Sequence, residues 1–179
     1  MIFTPAALPG VVVIDPEPLA DERGLFARTF CEKEFATHGL HTGYSQCSTS
    51  FNLHRHTVRG LHYQAAPYGE TKLVRVTQGA VWDVAVDLRP ESTTFRQWLG
   101  VELSADNRRQ LYIPQGFAHG FQTLTERAEV YYQISVPYHG AAARGVRWDD
   151  PAFGIRWPDA PQRVLSERDR QYPDFKGTP

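Results

Sequence analysis

The sequence predicts an all-β fold of the sandwich or barrel class, for which the jelly roll is one solution. Three observations carry that prediction. Apolar residues recur mostly with period two, as strands with one buried face require. Turn residues are plentiful, with 14 glycines and 13 prolines in 179 residues, and aromatics at 12% supply bulk for a core between short strands. The length fits one domain over residues 1–179. A chain of this size buries roughly 70% of its unfolded surface and needs no staple.

The elements follow in chain order. Cys31–His38, closed by Gly39, predicts one or two helical turns with a glycine C-cap. Leu73–Val76 and Val81–Leu88 read as strands joined by a turn at Gln78-Gly79. In the second, Val81, Asp83, Ala85 and Asp87 share one face, and Trp82, Val84, Val86 and Leu88 the other. The expectation is that the apolar face packs between sheets. That leaves Asp83 to the surface or a barrel cavity, and Asp87, beside Arg89, to a solvated face. Further strands are predicted at Trp98–Leu103, Arg109–Ile113, Gly120–Thr125, Glu129–Ser135 and Gly145–Trp148. Ser166-Glu-Arg-Asp169 predicts a short capped turn.

Composition excludes several function classes. With 19 Lys+Arg against 20 Asp+Glu the net charge is -1, which does not suit a general nucleic-acid binder. No apolar run reaches the ~20 residues that span a bilayer. The opening MIFTPAALPGVVVIDP has no basic n-region and breaks its apolar run at Pro5 and Pro9, so a secretory signal is not expected and a cytoplasmic location is. Cys31 and Cys47 allow at most one disulfide.

A few polar residues escape the core pattern. His62 lies in Val58-Arg-Gly-Leu-His-Tyr-Gln64. Imidazole suits general-base work near neutrality, and a carboxylate on its far nitrogen would fix the tautomer. Spacing does not say which carboxylate, and a lone histidine is more often structural. His119 follows Pro114-Gln-Gly116, a turn that aims it from a strand start, and the pattern resembles the second cupin motif, whose histidine often binds metal. His54-Arg-His56 has no glutamate after it before Glu70, so it reads as an exposed loop pair and no metal is expected. Tyr131 and Tyr132 point to opposite faces of a strand, one to the core and one to a cavity, and the pattern leaves open which. Asp169 has a capping reading that is purely structural. Arg23, Arg59, Lys72 and Arg75 each suit phosphate oxygens.

Taken as an ordered set, the motifs are specific. Asp21-Glu-Arg-Gly24, Arg59-Gly-Leu-His-Tyr-Gln64, Lys72-Leu-Val-Arg75, Asp83-Val-Ala-Val-Asp87 and Ile113-Pro-Gln-Gly-Phe-Ala-His-Gly-Phe121 are followed by Arg147-Trp-Asp-Asp-Pro151, Ile155-Arg-Trp-Pro158 and Leu165-Ser-Glu-Arg-Asp169. From about Gly10 to Asp169 the chain resembles the dTDP-4-dehydrorhamnose 3,5-epimerase family. The resemblance implies a cupin-type double-stranded β-helix, or jelly roll, with a few short helices. It implies a homodimer without metal or organic cofactor, acting on a nucleoside-diphosphate 4-keto-6-deoxyhexose in deoxysugar biosynthesis. By position, His62 is implied as the base, Asp169 as its partner, and Tyr132 as the acid on the opposite face. Lys72 is implied at the oxyanion, with His119 and Asp83 as a second dyad. Arg59 and Arg168 match diphosphate contacts, and Gln46, His119 and Tyr138 match further substrate contacts. Arg23 and Phe26 match residues supplied by the neighbouring subunit.

The chemistry explains those residue types. A C–H beside a ketone is acidic because charge moves onto the carbonyl oxygen, so the site needs a base, an opposed acid and a cation. A preorganised oxyanion donor is worth roughly 3–4 kcal/mol. The chain also departs from the family pattern. Arg28 and Ala143 stand where glutamates are usual, and Gln46-Cys-Ser48 replaces a Gln-x-Asn pair. Gln133 and Val136-Pro137-Tyr138 replace a lysine and an Asp-Tyr-Tyr run. All touch substrate or nucleotide recognition, so the reaction type is better indicated than the nucleotide. Three other readings stand beside this one: a 3-only or 5-only epimerase, a metal-dependent cupin, and a non-catalytic sugar-binding cupin.

Overall fold

Period-two burial folds the chain into two facing antiparallel sheets in the computed structural model, which describes residues 1–177. In chain order the strands are β1 (Ile2–Pro5), β2 (Val12–Asp15), β3 (Leu19–Asp21), β4 (Gly24–Phe26), β5 (Gln46–Asn52), β6 (Val58–Gln64), β7 (Lys72–Gln78), β8 (Ala80–Asp87), β9 (Trp98–Ser104), β10 (Gln110–Ile113), β11 (Phe117–Thr123), β12 (Ala128–Ile134) and β13 (Ala143–Gly145). Two short helices, α1 (Glu32–Thr37) and α2 (Glu167–Arg170), and a 3-10 turn at Gly140–Ala142 complete the described elements. One sheet runs β1-β2-β10-β7-β12-β5 and the other β13-β6-β11-β8-β9, while β3 and β4 form a separate hairpin. This is the jelly roll.

The main core fills the space between the sheets. Val74, Val76, Leu111 and Val130 from one sheet meet Val81, Ala85, Leu103, Phe117 and Phe121 from the other. Each fully buried Val, Leu or Phe side chain here contributes about 1.5–3 kcal/mol. The expectation for β8 is therefore inverted. Its Val81 face, with Asp83 and Asp87, points between the sheets. Val84, Val86 and Leu88 pack outward beneath a C-terminal covering of Val146, Phe153, Ile155, Trp157 and Phe175. Asp87 is not solvated. It is fully buried, with Arg89 donating to both carboxylate oxygens at 2.9 and 2.7 Å and Ser92 and Thr94 hydroxyls donating at 2.6 and 2.7 Å.

Helix α1 seals the outer face of the first sheet with Phe35 against Val12, Ile14, Leu73 and Tyr112. It ends where Gly39 takes φ +68°, with Gly39 and Leu40 N–H groups donating to the last-turn carbonyls of Ala36 and Phe35. The last predicted strand needs correction. Only Ala143–Gly145 is strand, and after Val146 pairs with Leu61 the chain turns at Arg147, whose guanidinium binds Asp149. Cys31 and Cys47 are free thiols. No helix among the described residues is long and apolar enough to cross a membrane.

One close approach positions the site. A Cβ on Gly60 would lie 2.6 Å from the Gly120 Cα, and one on Gly120 would lie 2.5 Å from the Arg59 carbonyl oxygen. The bare backbones let β6 and β11 meet there with a slip in register. His62 pairs with His119, yet Arg59, three residues earlier, pairs with Phe121 only two residues on. The extra residue turns Arg59 toward the same interior as His62.

Candidate active site

His62, His119, Asp83, Lys72 and Tyr132 converge from both sheets onto the interior, and α2 brings Asp169 to His62. His62 (β6) and His119 (β11) are register partners and share a face. His62 Nε2 lies 2.6 Å from Asp169 Oδ1, and Asp169 is buried while the imidazole side chain remains 42% exposed. A carboxylate only accepts, so Nε2–H is the donor and Nδ1 carries the lone pair. The same logic holds for His119, whose Nε2 reaches both Asp83 oxygens at 2.9 and 3.0 Å, with both residues buried.

Asp169 holds its place through several contacts. Its N–H donates to Ser166 Oγ at 3.1 Å as the capping reading predicts, and its Oδ2 accepts from the Gly60 N–H at 3.4 Å. Capping and pairing with His62 thus coexist in one residue. Burial pushes its pKa up, toward the neutral form, but the His62 bond, the Gly60 N–H and Ser166 outweigh this and hold the carboxyl below its ordinary range.

The facing sheet supplies Lys72 and Tyr132. On β12 Tyr132 pairs with Val74 of β7, and Ile134 pairs with Lys72, so Tyr132 and Lys72 share the inward face. Tyr132 stands edge-on to His119 with ring centroids 6.1 Å apart. Burial first, and the Asp83 charge second, push its phenol far above the ordinary tyrosine value, against an opposing pull from Arg59. Tyr131 takes the other face, under the Arg75 guanidinium at 5.2 Å. The choice left open by the pattern is resolved: Tyr132 enters the interior.

The residues expected to bind substrate divide into two groups. Arg59 Nε donates to Asn52 Oδ1 at 2.6 Å, and Gln46 Oε1 accepts from the Tyr138 N–H at 2.6 Å, which ties β5 to the loop after β12. The Arg168 guanidinium lies 5.9 Å from the Tyr172 ring. Arg23 and Phe26 do not join them within this chain. They lie on the β3–β4 hairpin, 85% exposed at the Arg23 side chain and 68% at Phe26, and Arg23 binds Asp21 of the same hairpin. Of the departures, Ser48 sits on exposed β5 opposite Tyr132, Ala143 opens β13, and Arg28 makes a long contact with Glu34 at 3.5 Å. A groove of about 440 Å³ lined by Tyr63, Ala66, Leu88, Arg89 and Gln115 contains none of these residues.

Sequence reasoning missed one neighbour of the dyad and one of Lys72. The Tyr172 ring meets the His62 ring edge-to-face at 6.0 Å. It fits only because residue 145 is glycine, since a Cβ there would run into the ring. Glu70 accepts a hydrogen bond from the Lys72 ammonium. Neither has a local signal, because each is defined by what it meets in three dimensions. Among the described residues no group of three or more His, Cys, Asp and Glu side chains is gathered as a metal site.

A jelly roll that carries histidine–carboxylate pairs inside its barrel defines a cupin-type acid–base site. Residues 5–177 match the model of the dTDP-4-dehydrorhamnose 3,5-epimerase family, and the chain belongs to that family. The dTDP-4-dehydrorhamnose 3,5-epimerase of Sinorhizobium fredii is 43% identical over 98% of this chain and 90% of its own length. The crystal structure of the Bacillus anthracis enzyme with TDP and PPi bound superposes with a TM-score of 0.94 at 39% identity, covering 97% of this chain and 99% of that one. The Legionella pneumophila enzyme in complex with dTDP-4-keto-L-rhamnose gives 0.90 at 37% identity, over 96% and 90%.

Proposed function

We propose that this protein epimerises C3 and C5 of a nucleoside-diphosphate 4-keto-6-deoxyhexose, converting dTDP-4-dehydro-6-deoxy-D-glucose to dTDP-4-dehydro-L-rhamnose. Family membership and the substrates named for its relatives support the reaction. The observation that carries it here is the 2.6 Å pair between His62 on one sheet and Asp169 on α2 beside it, with Tyr132 inward on the facing sheet. A hexose ring between the sheets meets a base on one face and an acid on the other.

Both C3 and C5 flank the C4 ketone. His62 Nδ1 takes the proton from the carbon, and the electron pair moves onto the ketone oxygen. Lys72 donates to that oxygen, and Tyr132 returns a proton from the opposite face. Asp169 keeps His62 in the Nδ1-basic tautomer and balances the imidazolium. General acid–base groups so placed contribute roughly 10²–10⁴-fold. Arg59 and Arg168 bind the diphosphate, and Gln46 and Tyr138 the substrate beside it. His119 with Asp83 forms the second dyad, against Tyr132. Arg23 and Phe26 serve the nucleotide of a neighbouring subunit in a homodimer.

Proton exchange in D₂O followed by NMR tests the reading. Deuterium at both C3 and C5 with an inverted product is expected. Label at one carbon makes the protein a single-position epimerase, and binding without any exchange makes it a non-catalytic sugar binder. Chelator is expected to leave turnover unchanged, and its loss would favour a metal-dependent cupin.

A further inference from the structure

Glu70 has no role in the mechanism above, yet it touches one of its central groups. Its Oε1 accepts from Lys72 Nζ at 2.8 Å, and the two side chains are only 11% and 10% exposed. Lys72 Nζ also donates, over 3.4 Å, to the backbone carbonyl of His62. An ammonium has three donors and no acceptor. Two of the three are directed by the protein, one by a side chain just before β7 and one by β6 of the opposite sheet, and the direction of the third follows from them.

We propose that Glu70 is a positioning residue that aims the remaining Lys72 donor at the substrate's ketone oxygen. This rests on the reading of Lys72 as the oxyanion donor. Lysine is a point charge on a flexible four-carbon stem, so its direction has to be imposed from outside. The His62 carbonyl alone is a long contact, whereas the Glu70 carboxylate is a short, charge-assisted one. The geometry also links the two reacting groups. His62 is held at its imidazole by Asp169 and at its backbone by Lys72, so base and oxyanion donor keep one spacing. A donor misplaced by about 1 Å costs on the order of 10²-fold.

The test is a double-mutant cycle read by kcat, KM and C–H exchange in D₂O. Glu70→Ala is expected to lower kcat about 10–100-fold with KM within about twofold. Glu70→Gln, whose amide oxygen still accepts from the ammonium, is expected to recover most of that loss. In a Lys72→Ala background, Glu70→Ala is expected to cost nothing further, because there is no donor left to aim. Glu70→Met fills similar volume without an acceptor and replaces the alanine variant if that fails to fold, with the same kcat loss expected. Wild-type kcat in the alanine or methionine variant overturns the proposal. So does a raised KM at unchanged kcat, or full additivity with Lys72→Ala. Failure of the proposed function is distinguishable, since it shows as absent exchange in the wild type itself.

Discussion

His62 and Asp169 stand 107 residues apart in the chain and 2.6 Å apart in space. Two backbone bonds bring this about: Val58 N–H donates to the Val164 carbonyl at 2.8 Å, and Val164 N–H donates to the His56 carbonyl at 3.1 Å. They lay the C-terminal segment beside β6, and α2 then presents Asp169 at the strand. Asp169→Asn keeps the shape and removes the charge that selects the tautomer. The expected outcome is a kcat lower by roughly 10²–10⁴-fold with KM nearly unchanged. The sign with pH follows from the lowered carboxyl value. The stability Asp169 contributes is complete above the ordinary carboxylate range and is lost as pH falls through its lowered value. Turnover within threefold of wild type in the asparagine variant would sink this role.

Asp87 gives a second, purely structural prediction. Burial opposes its charge, but Arg89, Ser92 and Thr94 together hold its value at about 2, against an ordinary 3.8. That difference is worth about 2 kcal/mol. The folded value is depressed, so the stabilisation is full above about pH 4 and disappears as pH falls toward 2. Urea unfolding of Asp87→Asn against wild type is expected to show a gap of about 2 kcal/mol at pH 7 that closes in acid. A gap independent of pH would refute the assignment.

Much of the central barrel was legible because β7 to β12 are apolar-rich runs bounded by turn residues such as Gln78-Gly79. The Gln78-Gly79 turn and five of those strands lie where the pattern puts them, although β11 begins at Phe117 rather than Gly120. The first six strands were not legible. β5 reads Gln-Cys-Ser-Thr-Ser-Phe-Asn and is mostly exposed, so it carries no apolar period. β3 and β4 are three residues each and wholly exposed. The direction of β8 was misread because both of its faces are buried, one between sheets and one beneath the C-terminal segment, and alternation cannot rank two buried faces. Arg59 and His62 would fall on opposite faces of a regular strand. Only the register slip at Gly60 and Gly120 brings them together. In the site, the ordered motifs supplied the residue set, while Tyr172 and Glu70 emerge from packing alone.

The β3–β4 hairpin pairs with neither sheet and exposes Leu19, Leu25 and Phe26, at 73%, 44% and 68%. Apolar groups clustered on a protruding hairpin suit burial against a second copy. Sedimentation is expected to find a dimer, and Leu19→Glu with Phe26→Glu is expected to give monomers whose KM for the nucleotide sugar rises at least about 10-fold. A wild-type monomer with full activity would exclude a shared site.

In the proposed mechanism Tyr132 separates proton removal from inversion. Its phenol is held far above the ordinary tyrosine value by burial and by Asp83, so it carries its proton throughout the range in which the protein is folded. In Tyr132→Phe the ring and its edge contact with His119 remain, and only the donor is lost. On that mechanism His62 is expected still to remove the carbon-bound proton and Lys72 still to hold the oxyanion, with deuterium returning from the His62 side. The expected result in D₂O is substrate that gains label with retained configuration, while epimerised product falls roughly 10²–10⁴-fold. Because a folding defect would depress exchange and inversion together, their separation identifies the residue as the opposing acid. Equal loss of both would assign Tyr132 to binding instead, and inverted product formed at the wild-type rate would move the acid to another residue.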